Sequence, residues 1–210
     1  MIVAFRGTEV KGGFARVARD ILSDSRALPV DSGQGGKLHR GFRDALDEVW
    51  DGAPAQRRLR DFLARLDPDG HRSVWLTGHS LGAALATLAA HRQGRVRGLY
   101  TFGSPRVGDA RFAADFHVPT WRFVNHQDLV PNLPPRLAPF FPYGHVGELK
   151  YIDRTGQVGP EQTPDESEPT AGRTRIDALL AGEIPFALLA DHAPLYYALR
   201  CRNHYARGSR

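Results

Sequence analysis

A chain of 210 residues is long enough for one substantial hydrophobic core and too short for two comfortable domains, so we predict a single domain over residues 1–210. It contains no run of about 18 apolar residues, and no transmembrane helix is expected. The formal charge of +5 comes almost wholly from scattered arginines without interleaved aromatic residues, which favours a solvated surface over a nucleic-acid partner.

Two features bear on the compartment. Met1 is followed at once by apolar residues, with neither a basic leader nor a cleavage site. The single cysteine, Cys201, excludes an internal disulfide and permits a reducing environment. We therefore expect a cytoplasmic protein, with the alternative that the native chain starts upstream of Met1.

The first part of the chain predicts one strand and three helices. Residues Ile2–Phe5 form a short apolar run typical of a strand, and residues 6–8 leave it as a loop. Apolar side chains at helical spacing predict three helices, over residues 14–22, 41–49 and 59–66. A polar, glycine-rich stretch at residues 31–36 is predicted to be a loop.

The segment Gly78-His79-Ser80-Leu81-Gly82 has the pattern of a nucleophile elbow, in which a strand turns directly into a helix at one exposed serine. The bare pattern is a weak signal, but its context strengthens it. The apolar run of residues 74–76 predicts a buried strand, and the small residues of 81–91 predict a closely packed helix. A plain strand-turn-helix is the alternative.

Strands and helices continue to alternate after the elbow. Strands are predicted at residues 96–102, 120–124 and 146–152, the last as a candidate edge strand, and helices at residues 110–116, 173–181 and 194–202. Residues 153–172 are rich in Pro, Glu, Thr and Gly and are predicted to form a flexible exposed loop. The alternation predicts an α/β fold with a mainly parallel central sheet flanked by helices.

A serine hydroxyl needs a base within hydrogen-bond reach, and the base needs an acceptor that fixes its tautomer. In enzymes with this elbow the chain order is Ser, then Asp or Glu, then His. Asp128 follows a predicted strand, and His192 and His145 both follow Asp128, so order alone does not decide between the two histidines. His79 is interpreted as structural, because its side chain should point away from its neighbour Ser80.

The remaining acidic candidates in the chain are interpreted as helix caps or surface charges: Asp109, Asp153, Asp177 and Asp191.

Five segments in order resemble the class 3 lipases, the fungal-type triacylglycerol lipase family: residues 2–8, 38–42, 77–86, 101–109 and 122–131, with residues 191–197 as a sixth. The resemblance implies an α/β-hydrolase fold with Ser80 as nucleophile, Asp128 as acid and His192 as base. It further implies that Thr8 and Leu81 form the oxyanion hole. Physical chemistry supports Leu81 independently, since its N–H opens a helix and helix N-termini favour anions.

The chain also departs from the family. Better-known members carry an N-terminal extension, and many are secreted with disulfides, so this chain is expected to be an N-terminally short member. Residues 14–22 occupy the place of the family's lid helix, with an ordinary packed helix as the alternative. Residues 137–143 and 184–189 either line an acyl groove or belong to the core, and core is favoured for the second segment.

The sequence thus predicts a lipase-like serine carboxylic-ester hydrolase that cleaves triacylglycerol or phospholipid esters through an acyl-enzyme on Ser80. The expected partners are a lipid or small ester and, transiently, a lipid interface; no metal or cofactor is required. Activity should fall at acid pH as the base becomes protonated. The alternatives are an esterase of soluble short-chain or aromatic esters and a catalytically idle scaffold or truncated relative.

Overall fold

The computed structural model describes residues 1–7, 21, 28–33, 35–52, 58–134, 143–159 and 190–208. Several predicted segments lie outside these residues: the helix at 14–22 apart from Ile21, the helix at 173–181, the segments 137–142 and 184–189, and residues 160–172 of the predicted loop.

The described elements, in chain order, are β1 (Ile2–Phe5), β2 (Pro29–Asp31), β3 (Lys37–His39), α1 (Arg40–Trp50), α2 (Leu59–Leu66), β4 (Trp75–His79), α3 (Leu81–Gln93), β5 (Gly98–Phe102), β6 (Gly108–Asp109), α4 (Ala110–Ala114), β7 (Thr120–Asn125), a 3₁₀ helix (Val130–Asn132), β8 (Tyr143–Gly144), β9 (Glu148–Ile152), β10 (Val158–Gly159) and α5 (Pro194–Gly208). None of the helices in the described ranges combines the length and apolarity needed to cross a bilayer.

The central sheet has the strand order β1-β4-β5-β7-β9-β10. Strands β1, β4, β5, β7 and β9 run parallel to one another, and β10 pairs antiparallel with β9. This arrangement confirms the α/β class and the mainly parallel sheet predicted from the alternation of strands and helices. Since the carboxyl ends of parallel strands meet at one edge of the sheet, the residues that follow β4 and β7 lie at the same edge.

Helices cover the two faces of this sheet. In β5, Leu99 packs into a large apolar cluster that includes residues of α1 and α3. The next residue, Tyr100, and Phe102 pack instead with Tyr197 of α5. Successive side chains of a strand point to opposite faces, so α3 and α5 lie on opposite sides of the sheet.

Helix α3 is the most deeply placed helix of the described structure. Every residue from Gly82 to Ala90 is buried, because the helix is enclosed by the sheet on one side and by α1 on the other. The alanines of its sequence let the backbone approach the strands closely, as the small-residue run predicted.

The structure corrects the strand predictions in two places. The strand predicted as a candidate edge, β9, lies between β7 and β10, and β10 itself falls within the predicted loop 153–172. A second sheet of order β2-β3-β6-β8 was missed, and its β2–β3 hairpin surrounds the polar stretch predicted as a loop. These strands are two or three residues long, too short to show an alternating pattern.

Candidate active site

Ser80 stands at the turn between β4 and α3. Its backbone has φ 57° and ψ −127°, a positive φ that residues with a side chain rarely adopt. The surrounding structure holds this strained conformation, since the Ser80 N–H donates to the Phe102 carbonyl of the neighbouring strand at 3.0 Å. The turn therefore fixes the direction of the Ser80 side chain.

The two glycines of the elbow are required by close backbone contacts. A Cβ on Gly78 would lie 2.2 Å from the Gly82 carbonyl oxygen. A Cβ on Gly82 would lie 2.2 Å from the carbonyl oxygen of Phe5 in β1. Both distances are far inside van der Waals contact, so only glycine lets β1, β4 and the start of α3 converge behind Ser80.

The structure brings together the three residues predicted to carry the chemistry. His192 Nε2 lies 2.9 Å from Ser80 Oγ, and His192 Nδ1 lies 2.9 Å from Asp128 Oδ2 and 3.0 Å from Oδ1. All three side chains are buried. Because an ionised carboxylate only accepts hydrogen bonds, Nδ1 carries the proton and Nε2 is left to accept from the Ser80 hydroxyl.

Asp128 is held as a carboxylate by several donors. The Tyr197 hydroxyl donates to Oδ2 at 2.5 Å, and the Val130 N–H donates to Oδ1 at 2.9 Å. Burial alone would raise the pKa of Asp128, but the adjacent His192 and the donated hydrogen bonds outweigh it and hold that pKa below its ordinary value. The acid is thus ionised and oriented without contact with solvent.

Tyr197 is a site residue to which the sequence assigned no role. Its hydroxyl accepts from the Asn125 N–H at 3.0 Å while it donates to Asp128. Burial, followed by the charge of Asp128, raises the pKa of Tyr197 well above its ordinary value, so the phenol keeps its proton. The signal was the aromatic pair at residues 196–197, but only the packing of α5 against β7 identifies the partner.

His79 supports the base from its other side, as a structural residue. Its Nε2–H donates to the His192 carbonyl at 2.7 Å, and the two rings lie 4.6 Å apart. Burial, and next the proximity of His192, lowers the pKa of His79 to about 4. His79 therefore stays neutral at pH values near 7 and adds no charge beside the base.

The interpretation of Asp191 as a helix cap or a surface charge is wrong. Its side chain is 15% exposed, and its Oδ2 accepts from His126 Nδ1 at 3.0 Å and from the Gln127 N–H at 3.2 Å. By contrast, Asp109 does cap a helix, since it accepts from the Phe112 N–H at the start of α4.

Asp153 is partly exposed in a turn that precedes β10, in agreement with a surface role, and Asp177 lies outside the described residues.

The rival histidine occupies a different environment. His145 follows β8 and lines a small interior cavity together with Thr101 and Arg122. The histidine in hydrogen-bond contact with Ser80 is His192. Tertiary structure thus resolves an alternative that chain order left open.

The predicted oxyanion-hole residues are only partly described. Leu81 is the first residue of α3, and its N–H is one of the four that have no partner within the helix. Thr8 lies outside the described residues and stays a prediction. Its neighbour Gly7 is close to the elbow, since a Cβ there would lie 2.8 Å from the His79 carbonyl oxygen and 3.6 Å from Ser80 Cβ.

The described part of the chain contains no group of three or more His, Cys, Asp or Glu side chains arranged to hold a metal ion. What the site does contain is a hydroxyl, an imidazole and a carboxylate in hydrogen-bonded series, beside a helix N-terminus. This set can transfer a proton and stabilise an anion.

The family model described as "Lipase (class 3)" matches residues 2–138, which is more than half of the chain. The chain belongs to the class 3 lipases. Within this family, it is 31% identical over 187 residues to the lipase of Rhizomucor miehei, an alignment that covers 83% of this chain and 47% of the relative.

The chain is also similar to a plant phospholipase and to a lipase of known structure. Phospholipase A1-Igamma2 of Arabidopsis thaliana is 34% identical over 134 residues, which cover 50% of this chain and 25% of the relative. A solved triacylglycerol lipase, described as having a serine protease triad as its catalytic centre, has 27% identity and a TM-score of 0.59 over 91% of this chain and 69% of its own. The chain therefore has the α/β-hydrolase fold, and it spans about half the length of the Rhizomucor miehei relative.

Proposed function

We propose that this protein is a serine carboxylic-ester hydrolase that cleaves acyl esters of lipids through an acyl-enzyme on Ser80. The observation that carries the proposal is the hydrogen-bonded series of Ser80, His192 and Asp128, with 2.9 Å at each of its two links. In this arrangement the base touches the nucleophile and the acid touches the base, which is what activation of a serine hydroxyl requires.

Acylation begins when Ser80 Oγ attacks the ester carbonyl carbon while His192 Nε2 takes the hydroxyl proton. The carbonyl oxygen becomes an oxyanion, and we assign its stabilisation to the N–H groups of Leu81 and Thr8. The tetrahedral intermediate then expels the alcohol, which leaves with the proton returned by His192. Ser80 is left as an acyl ester.

Deacylation repeats these steps with water as the nucleophile. The water oxygen attacks the acyl carbonyl carbon while His192 takes a proton from the water molecule. His192 then returns the proton to Ser80 Oγ as the carboxylic acid departs. In both halves His192 is transiently an imidazolium. The buried Asp128 carboxylate stabilises that charge and holds the ring so that Nε2 faces Ser80.

The proposed substrates are triacylglycerol or phospholipid esters, met at a lipid interface. Relatives named as a lipase and as a phospholipase A1 support this substrate class. An esterase of soluble esters would use the same three residues, so the acyl preference has to be measured.

The decisive experiment is hydrolysis of p-nitrophenyl esters of increasing acyl length by the wild type and by Ser80→Ala. Ser73→Ala is the matched control, because Ser73 is an exposed serine outside the site. We expect Ser80→Ala to lower kcat by at least about 10⁴-fold, and Ser73→Ala to match the wild type. Equal activity of folded wild type and Ser80→Ala would contradict the proposal.

The same series separates the substrate classes. A lipase should prefer long acyl chains and gain activity when the ester is presented in micelles or emulsions. A preference for short soluble esters, with no gain at an interface, would assign the protein to the esterases.

A further inference from the structure

We propose that Asp191, with His126 and Arg200, forms a clamp that positions the base His192 relative to the acid Asp128. The inference rests on the proposed function, since it assigns a positioning role within the same reaction. None of the three clamp residues touches the nucleophile in the described contacts, so they act through His192 and are positioning residues.

The clamp joins the two loops that carry the acid and the base. One loop leaves β7 at Asn125 and leads to Asp128; the other precedes α5 and contains Asp191 and His192. The Asp191 carboxylate accepts from His126 Nδ1 at 3.0 Å and from the Gln127 N–H at 3.2 Å. Residues next to the acid are thereby tied to the residue next to the base.

Arg200 closes the clamp from the side of α5. Its Nη1 donates to Asn125 Oδ1 at 2.5 Å, and its Nη2 lies 3.7 Å from Asp191 Oδ1. The side chains of Arg200 and Asp191 are only 23% and 15% exposed. Charged contacts that are shielded in this way are worth more than exposed surface pairs, and a planar guanidinium can serve both partners at once.

Two further hydrogen bonds hold the backbone at His192, one to the carbonyl that precedes the base and one to its own carbonyl. Asn125 Nδ2 donates to the Asp191 carbonyl at 2.7 Å, and His79 Nε2 donates to the following carbonyl, that of His192, at 2.7 Å. The ring between these anchors has to meet Ser80 and Asp128 together. A displacement of about 1 Å in such a site typically lowers turnover by about 10²-fold, which is why the anchor matters for rate.

The test compares Asp191→Asn with the wild type, and Asp44→Asn is the matched control. Asp44 is also a carboxylate paired with an arginine, Arg43, but it lies on the exposed side of α1. Asparagine at 191 keeps the shape and one acceptor oxygen but loses the charge and the second acceptor. We expect kcat to fall about 10- to 100-fold with KM within about twofold of the wild type, and Asp44→Asn to be unchanged.

A double-mutant cycle separates positioning from a general structural effect. If Asp191 acts through the base, then Asp191→Asn should cause no further loss in a His192→Ala background. The clamp is overturned if Asp191→Asn lowers the residual activity of that background by the same factor, or if it leaves the activity of the otherwise unchanged protein intact. An inactive wild type would remove the proposed function and the clamp together, whereas an active wild type with an unimpaired Asp191→Asn removes the clamp alone.

Discussion

Replacing Gly103 by alanine should disable the site while leaving the fold in place. Gly103 follows β5 with φ +56°, and a Cβ on it would lie 2.7 Å from Asp128 Oδ2 and 3.1 Å from His192 Nδ1. The first distance is shorter than real Cβ contacts allow, so the acid or the base has to move by several tenths of an ångström. The hydrogen bond between them is the one that orients the base.

Gly94→Ala is the control that isolates the backbone cost. Gly94 also has a positive φ, +66°, but a Cβ on it would meet no atom within 4 Å. Both substitutions should therefore lose roughly 1–2 kcal/mol of stability from the left-handed backbone. Only Gly103→Ala disturbs the acid and the base, and a displacement of this kind is expected to lower kcat about 10- to 100-fold.

The assay is kcat on a p-nitrophenyl ester, together with urea unfolding of each variant. We expect the urea midpoints of both variants to fall, and that of Gly103→Ala to fall somewhat further because of the added clash. Gly94→Ala should keep full activity. If folded Gly103→Ala is as active as Gly94→Ala, the assumed dependence on the geometry of Asp128 and His192 is refuted.

Three further outcomes are expected. Tyr197→Phe removes a donor to the buried Asp128 carboxylate and should lower kcat about 10- to 100-fold, in line with about 1.5–3 kcal/mol for a hydrogen bond to a charged group; unchanged steady-state kinetics would contradict this. Gly82→Ala should fail to fold stably in thermal melts, because its Cβ would lie 2.2 Å from a carbonyl oxygen of β1. Since the pKa of His79 falls to about 4 on folding, the unfolded chain binds more protons between about pH 6.5 and 4, and the free energy of unfolding should decrease as pH falls through that window. Urea titrations at several pH values should show a weaker slope for His79→Gln than for the wild type.

The elbow and the parallel sheet could be predicted because their signals are local. The spacing of Gly78 and Gly82 around Ser80 reflects backbone contacts within one turn, apart from the approach of Gly82 to β1. Strands of five or six residues alternating with helices likewise leave a readable pattern, as in β4, β5 and β7.

The second sheet and strand β10 were missed for the opposite reason. Gly108 in β6 pairs with Leu38 in β3 and with Gly144 in β8, partners that are distant in sequence. Strands of two residues have no periodicity of their own. Their existence depends on tertiary contacts that no short window of sequence contains.

Residue order alone did not choose the base, which the family resemblance indicated, and finding the supports of the base needed the folded chain. The order of Ser80, Asp128 and a later histidine fits His145 as well as His192. The supporting roles of Asp191 and Tyr197 arise only when α5 and the loop before it meet the end of β7. Thr8 and the lid helix at residues 14–22 stay predictions from the sequence.

The most direct test of the central claim is covalent labelling of the purified protein by a fluorophosphonate, followed by intact-mass measurement and peptide mapping. Such a probe reacts with a serine only when a neighbouring base activates it. We predict one adduct per chain on Ser80, its loss in Ser80→Ala, and much slower labelling in His192→Ala. A folded wild type that takes up no label, or equal labelling of wild type and Ser80→Ala, would contradict the assignment of Ser80 as an activated nucleophile.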